Sequence, residues 1–149
     1  MLFRSILARH LRADLPLDPG ELAGAGGDRE AAAAAMRRAV VDALYARTPA
    51  TAVLEAVYAS GARETLHLAD LASGAMLAAV VARAKTAAIK DEIAGGPGGL
   101  STARLLEAIA VEARQNEEIA AAGPEDWERL VGRRGGPIRS VTVPHREEA

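Results

Sequence analysis

No cysteine occurs in the 149 residues. This excludes disulfides, thiol nucleophiles and zinc–thiolate centres, and it removes any redox clue to compartment. Aromatic residues make up only 3% of the chain, as Phe3, Tyr45, Tyr58 and Trp127, so the core must be aliphatic, with close helix contacts over alanine. There is no run of about 18 apolar residues, the length a membrane-spanning helix needs. The opening Met1-Leu2-Phe3-Arg4 has neither the apolar stretch nor the cleavage site of a signal peptide. A cytoplasmic protein with no membrane partner is the expectation. Positive charge is not in excess: 18 Lys and Arg face 20 Asp and Glu. Phosphate backbones need Lys and Arg concentrated on one face, so nucleic acid is not the expected partner. The histidines, His10, His67 and His145, lie far apart with no ligand spacing, and no metal site is expected.

Alanine is abundant, and half of all residues are apolar. Alanine has the highest helix propensity, so the composition favours a mainly α fold. Leu2, Ile6, Leu7 and Leu11 stand near helical spacing over residues 1–12. Met1 falls directly on that periodic stretch with no lead-in, the pattern expected of a truncated reading frame. Leu15-Pro16-Leu17-Asp18-Pro19-Gly20 breaks the helix twice, and Gly24 to Gly27 reads as loose. Asp28 then suits an N-cap for a helix to about Ala46, with Met36, Val40, Val41 and Leu44 on its apolar stripe. Thr48-Pro49 ends it.

The period changes from 3.6 to 2 between Val53 and Leu68. Leu54, Ala56 and Tyr58 alternate with Val53, Glu55 and Val57, and the Ser60-Gly61 pair reads as the turn of a β-hairpin over about 53–68. A lone hairpin is marginal in water and needs a third strand or a helix to cover it. Pro137 to Pro144 supplies a short strand bracketed by prolines, the form an edge strand takes. Between these, Ser73 caps a long helix to about Ala94, Gly95 to Gly99 forms a break, and Ser101 or Thr102 caps another helix to about Ala122. Leu105, Ile109 and Ala113 share one face of that helix. Gly123-Pro124-Glu125-Asp126-Trp127 begins a short helical turn, Gly132 to Gly136 is basic and flexible, and His145 to Ala149 is a loose tail. The expected fold class is α+β: mainly helical, with a small sheet made of the hairpin and the C-terminal strand.

The most informative turn is Ser73-Gly74-Ala75. A helix opening on Ser-Gly-Ala lets backbone N–H groups approach a ligand, because no bulky side chain intervenes. Read alone, the same residues are an ordinary helix cap. The remaining polar groups read as structural. Lys85 and Lys90 suit a solvated helix face, and Asp70 suits support of the following helix dipole. Glu117-Glu118 and Glu125-Asp126 sit where caps and solvated faces are common. Gly95 to Gly99 lacks the Lys and Ser or Thr of a phosphate loop. Arg133-Arg134 suits solvation or an acidic neighbour, and Trp127 suits a packing anchor.

Several segments, in order, resemble the C-terminal part of the actinobacterial proteasome-associated ATPases, the ring-shaped AAA+ unfoldases called Mpa or ARC. They are Leu15-Pro16-Leu17, Gly27-Asp28-Arg29, Leu54-Glu55-Ala56-Val57-Tyr58-Ala59-Ser60-Gly61 and Ser73-Gly74-Ala75-Met76. Val81-Ala82-Arg83-Ala84-Lys85 and Ala88-Ile89-Lys90 follow, then Gln115-Asn116-Glu117-Glu118, Pro124-Glu125-Asp126-Trp127, Arg129 and Gly132-Arg133-Arg134-Gly135. The resemblance implies an AAA+ small helical lid domain over residues 1–122 with the hairpin inserted, and a C-terminal segment over 123–149. Hairpin and final strand together match a β-grasp-like element. It further implies hexameric rings that use ATP to unfold proteins tagged with the modifier Pup for the 20S proteasome. In that match Ser73, Gly74 and Ala75 are the nucleotide contacts for ATP or ADP, the partners are the AAA+ large domain and neighbouring ring subunits, and no residue here is catalytic.

The sequence departs from the family in three respects. It has no G-x-x-x-x-G-K-[ST] loop, acidic pair or arginine-finger segment. It has no coiled coil for the Pup tag. It ends Arg146-Glu147-Glu148-Ala149 instead of in the family's Gln-Tyr-Leu-like docking motif. The expectation is a lid without its motor core, as a truncated fragment or inactive paralogue. The residues alone leave open a free-standing, Ala-rich adaptor with no nucleotide role.

Overall fold

The computed structural model describes residues 2–49, 51–120 and 137–142. The elements in chain order are α1 (Leu2–His10), α2 (Pro19–Gly24), α3 (Arg29–Tyr45), β1 (Ala52–Tyr58), β2 (Arg63–His67), α4 (Leu68–Leu71), α5 (Gly74–Ile93), α6 (Thr102–Ala120) and β3 (Ile138–Thr142). Helices with one small sheet bear out the α+β expectation. The chain divides into two compact units, one of Met1–Leu44 with Ser73–Ile109, the other of Tyr45–Ala72 with Ala110–Ala149.

The helical unit is built on aliphatic burial. Leu7 and Leu11 are fully buried, as are Met36, Val40 and Leu44 of α3 and Leu77 and Val80 of α5. Ala32, Ala33 and Ala84 are buried among them, which lets helix backbones approach closely where the sequence has no aromatics to spare. Burying each large aliphatic side chain contributes about 1.5–3 kcal/mol. α1 packs on α5. Arg37 secures the end of α1 by donating from Nη1 to the carbonyl of Leu11 at 2.9 Å, one of the orphan acceptors at a helix C-terminus.

The breaks in this unit are fixed turns rather than loose linkers. Pro19 begins a helix instead of ending one: it occupies the first turn of α2, where its missing N–H costs nothing, and Asp18 accepts from Gly20 N at 2.8 Å and Glu21 N at 3.3 Å. The Gly24–Gly27 stretch caps α2 tightly, with Gly27 N donating to Leu22 O at 2.8 Å and Gly26 and Gly27 at positive φ. Asp28 caps α3 as expected, accepting from Ala31 N at 3.1 Å. Leu17 and Leu100 form a parallel bridge, Asp18 N donating to Leu100 O at 2.8 Å and Leu100 N to Pro16 O at 2.9 Å. This holds Gly99 against Leu17: a Cβ there would lie 2.6 Å from the Leu17 carbonyl carbon, at a φ of +82°. Glu21 then accepts from Thr102 N at 2.6 Å, and Ser101 from Arg104 N at 3.2 Å, so α6 begins on two acidic or hydroxyl acceptors.

In the second unit the sheet order is β2-β1-β3, all antiparallel, with β1 central. Leu54, Ala56 and Tyr58 are buried as the alternation required, and Ala52 and Val53 are buried as well. The hairpin turn closes through Tyr58 N to Ala62 O at 2.9 Å and Gly61 N to Tyr58 O at 2.9 Å, with Gly61 at φ +88°. β3 pairs Ala56 with Val141 and Val57 with Ser140, the third strand a lone hairpin lacks. The expected turn at Gly123 to Trp127, the basic stretch Gly132 to Gly136, with Arg133 and Arg134, and the tail from His145 lie outside the described residues.

Candidate nucleotide-facing turn

Ser73 to Ala75 open α5. Ser73 has extended backbone (φ −139°, ψ 166°), and its Oγ accepts from Met76 N at 3.2 Å. Its carbonyl accepts the first intrahelical bond, from Leu77 N at 3.1 Å. The amides of Gly74 and Ala75 precede that first bond and, like the leading N–H groups of any helix, have no intrahelical acceptor. Met76 and Leu77 turn inward and are buried, while Ser73 and Ala75 are exposed and Gly74 is half-buried. The turn therefore lies at the surface of its unit, anchored by the residues that follow it.

Gly74 is not small because the fold requires it. Its φ is not positive, and a Cβ would meet only the Ile6 side chain of α1, at 3.6 Å and 3.9 Å, ordinary contact distances. Glycine in a helix is less favourable than alanine by about 1 kcal/mol. Local packing thus tolerates a methyl where the sequence has none.

Asp70 has a different role from the one expected. It belongs to α4, a helix the sequence pattern did not reveal, and its carboxylate accepts from His67 N at 2.9 Å and pairs with Arg47 Nη2 at 3.1 Å. Its side chain is only 7% exposed, so it closes the joint between β2 and α4 rather than supporting α5. Arg47 Nη1 also lies 3.3 Å from His67 Nδ1. The readable signal was the spacing His67-x-x-Asp70, that of a capping box. Lys90 is exposed, and Lys85 lies half-buried at an apolar groove of about 140 Å³ with Leu15, Pro16, Ala88, Ile89 and Leu100. Among the described residues no three of His, Asp and Glu sit together as a metal cluster, and no helix is long and apolar enough to cross a membrane.

A unit of packed helices and a second unit built on a small antiparallel sheet define the class, an α+β domain. Residues 3–149 match the family model described as ARC, AAA+ ATPase lid domain, and the chain belongs to that family. It is 42% identical over 136 residues to a proteasome-associated ATPase of Frankia casuarinae, covering 91% of this chain and 23% of that protein. It is 43% identical over 134 residues to the namesake of Jonesia denitrificans, covering 89% and 24%. With that of Acidimicrobium ferrooxidans the identity is 40% over 147 residues, covering 97% and 25%. The chain spans about a quarter of the length of these relatives.

Proposed function

We propose that this chain serves as the lid of a ring-forming proteasome-associated AAA+ ATPase in the cytoplasm, and that Ser73, Gly74 and Ala75 lie against the adenine and ribose of ATP or ADP. The observation that carries the reading is Gly74: it stands half-buried between the exposed Ser73 and Ala75 at the start of α5, and it is smaller than its packing against Ile6 requires. A purine supplied from outside explains that smallness, because backbone can approach it closely. The family match supports this reading over a free-standing adaptor with no nucleotide role.

The lid contributes position, not chemistry. The sequence contains no phosphate loop, so the cradle for the phosphates and the ligands for Mg²⁺ belong to a large domain, in the part of the relatives that this chain does not span. Nucleotide held between large domain and lid sets the angle between them. Hydrolysis changes that angle, and the ring converts the change into pulling. Pup-tagged proteins are the proposed cargo and the 20S proteasome the proposed recipient.

A chimera tests the assignment. The matching segment of the Jonesia denitrificans relative is replaced by this chain, and ATP hydrolysis is measured. The chimera is expected to hydrolyse ATP, and Gly74→Trp is expected to abolish nucleotide binding while the chimera still assembles. A folded, assembled chimera that binds nucleotide equally well with Trp at 74 overturns the role of the turn.

A further inference from the structure

On the helical unit, away from the groove at Lys85, a cleft of about 260 Å³ is lined by Arg4 of α1 and by Ala34, Arg37 and Arg38 of α3. Ala34 contributes only a methyl, so the guanidinium groups define its chemistry. Arg37 is held in place. Its Nη1 donates to Leu11 O at 2.9 Å, its Nη2 pairs with Glu30 at 2.8 Å, and its side chain is 18% exposed. Arg4 and Arg38 are exposed, and among the described residues neither forms an ion pair, although Asp42 lies one turn beyond Arg38 on α3. The adjoining cleft, lined by Ala8, Arg12, Ala13, Asp14, Glu30 and Arg37, provides an internal contrast. There Arg12 pairs with Asp14 at 3.0 Å and Arg37 with Glu30, so each cation has its carboxylate. Of these two clefts, the first holds two guanidinium groups that form no ion pair among the described residues, with the exposed Asp42 one turn along α3 from Arg38.

We infer that the Arg4–Arg37–Arg38 cleft binds a phosphate group, as free phosphate or as a phosphate monoester. Two unpaired guanidinium groups call for a dianion, and a phosphate monoester carries about −1.5 to −2 charge near pH 7. A carboxylate brings one charge and two acceptor oxygens. Phosphate offers three, enough to engage forks from both helices, and the planar guanidinium matches it in a bidentate fashion. Arg37, already neutralised by Glu30, supplies a fixed wall that orients the ligand. The site is independent of the nucleotide reading of the Ser73 turn.

The test is a titration of the full, ¹⁵N-labelled chain with sodium phosphate at constant ionic strength, chloride replacing phosphate in the control. Saturable shifts are expected at the amides of Ala34, Arg37 and Arg38, with affinity on the order of 1 mM. The Arg4→Gln/Arg38→Gln double variant is expected to weaken binding by about tenfold or more, since charge-assisted hydrogen bonds are lost. Arg12→Gln in the adjoining cleft is expected to leave it unchanged. O-phosphoserine forms a second arm: tighter binding than inorganic phosphate assigns the site to an ester, and equal binding to the free anion. Non-saturating shifts, identical shifts with chloride, or an unchanged affinity in the double variant with its spectrum intact overturn the inference.

Discussion

Single residues separate demands of the fold from surplus that the fold does not explain. Gly99 and Gly26 both have positive φ, but only Gly99 faces backbone at 2.6 Å, and Gly26 faces open space. Alanine at 26 should therefore destabilise by about 1–2 kcal/mol, the left-handed penalty alone. At 99 overpacking adds to it, for about 2–5 kcal/mol in total. Urea denaturation of the two variants measures the difference. Gly74 has the opposite sign. Gly74→Ala should raise stability by about 0.4–1 kcal/mol, because the unfolded chain loses freedom and the native site accepts the methyl. If the turn serves a nucleotide, the same change should weaken ADP binding in the chimera while it strengthens the fold. Ser73→Ala removes the oxygen that accepts from Met76 N and should destabilise by about 1 kcal/mol, read in the same assay.

At the scale of elements, the core of each unit gives a direct check. Leu77 of α5 and Leu54 of β1 are fully buried, and alanine at either should destabilise by about 2–5 kcal/mol; amide hydrogen exchange in each variant reads where protection is lost. Long periodic segments were legible in the sequence. α3, α5 and α6 and the strands of the sheet lie where the apolar spacing and the caps Asp28, Ser73 and Ser101 place them. Short elements were not. α2 and α4 have 6 and 4 residues, too few for a period to register, and Pro19 reads as a breaker until Asp18 is seen to cap it. Asp70 was misplaced for the same reason: adjacency in sequence to Ser73 suggested α5, whereas its bonds run to His67 and Arg47. The turn at Ser73 was legible as a cap, but its exposure and the room around Gly74 depend on α1, 68 positions earlier at Ile6. The Arg4–Arg37–Arg38 cleft escaped notice because it joins two helices, and no single stretch of sequence is basic enough to mark it.

For the whole molecule, the central expectation is dependence on a partner domain. With no phosphate loop in the sequence, the purified chain mixed with ATP and Mg²⁺ should release phosphate no faster than buffer, and activity should appear only in the chimera. A colorimetric phosphate assay on both samples decides this. Phosphate binding at the arginine cleft, by contrast, should be present in the chain alone, so the two behaviours can be separated in one preparation.

The helical unit is assembled from two stretches of chain, Met1–Leu44 and Ser73–Ile109, with the hairpin encoded between them. Its completion therefore waits on joining residues far apart in the chain, α1 with α5. The loop between them must close before that contact stabilises anything, so this unit should fold more slowly than one built from local contacts alone.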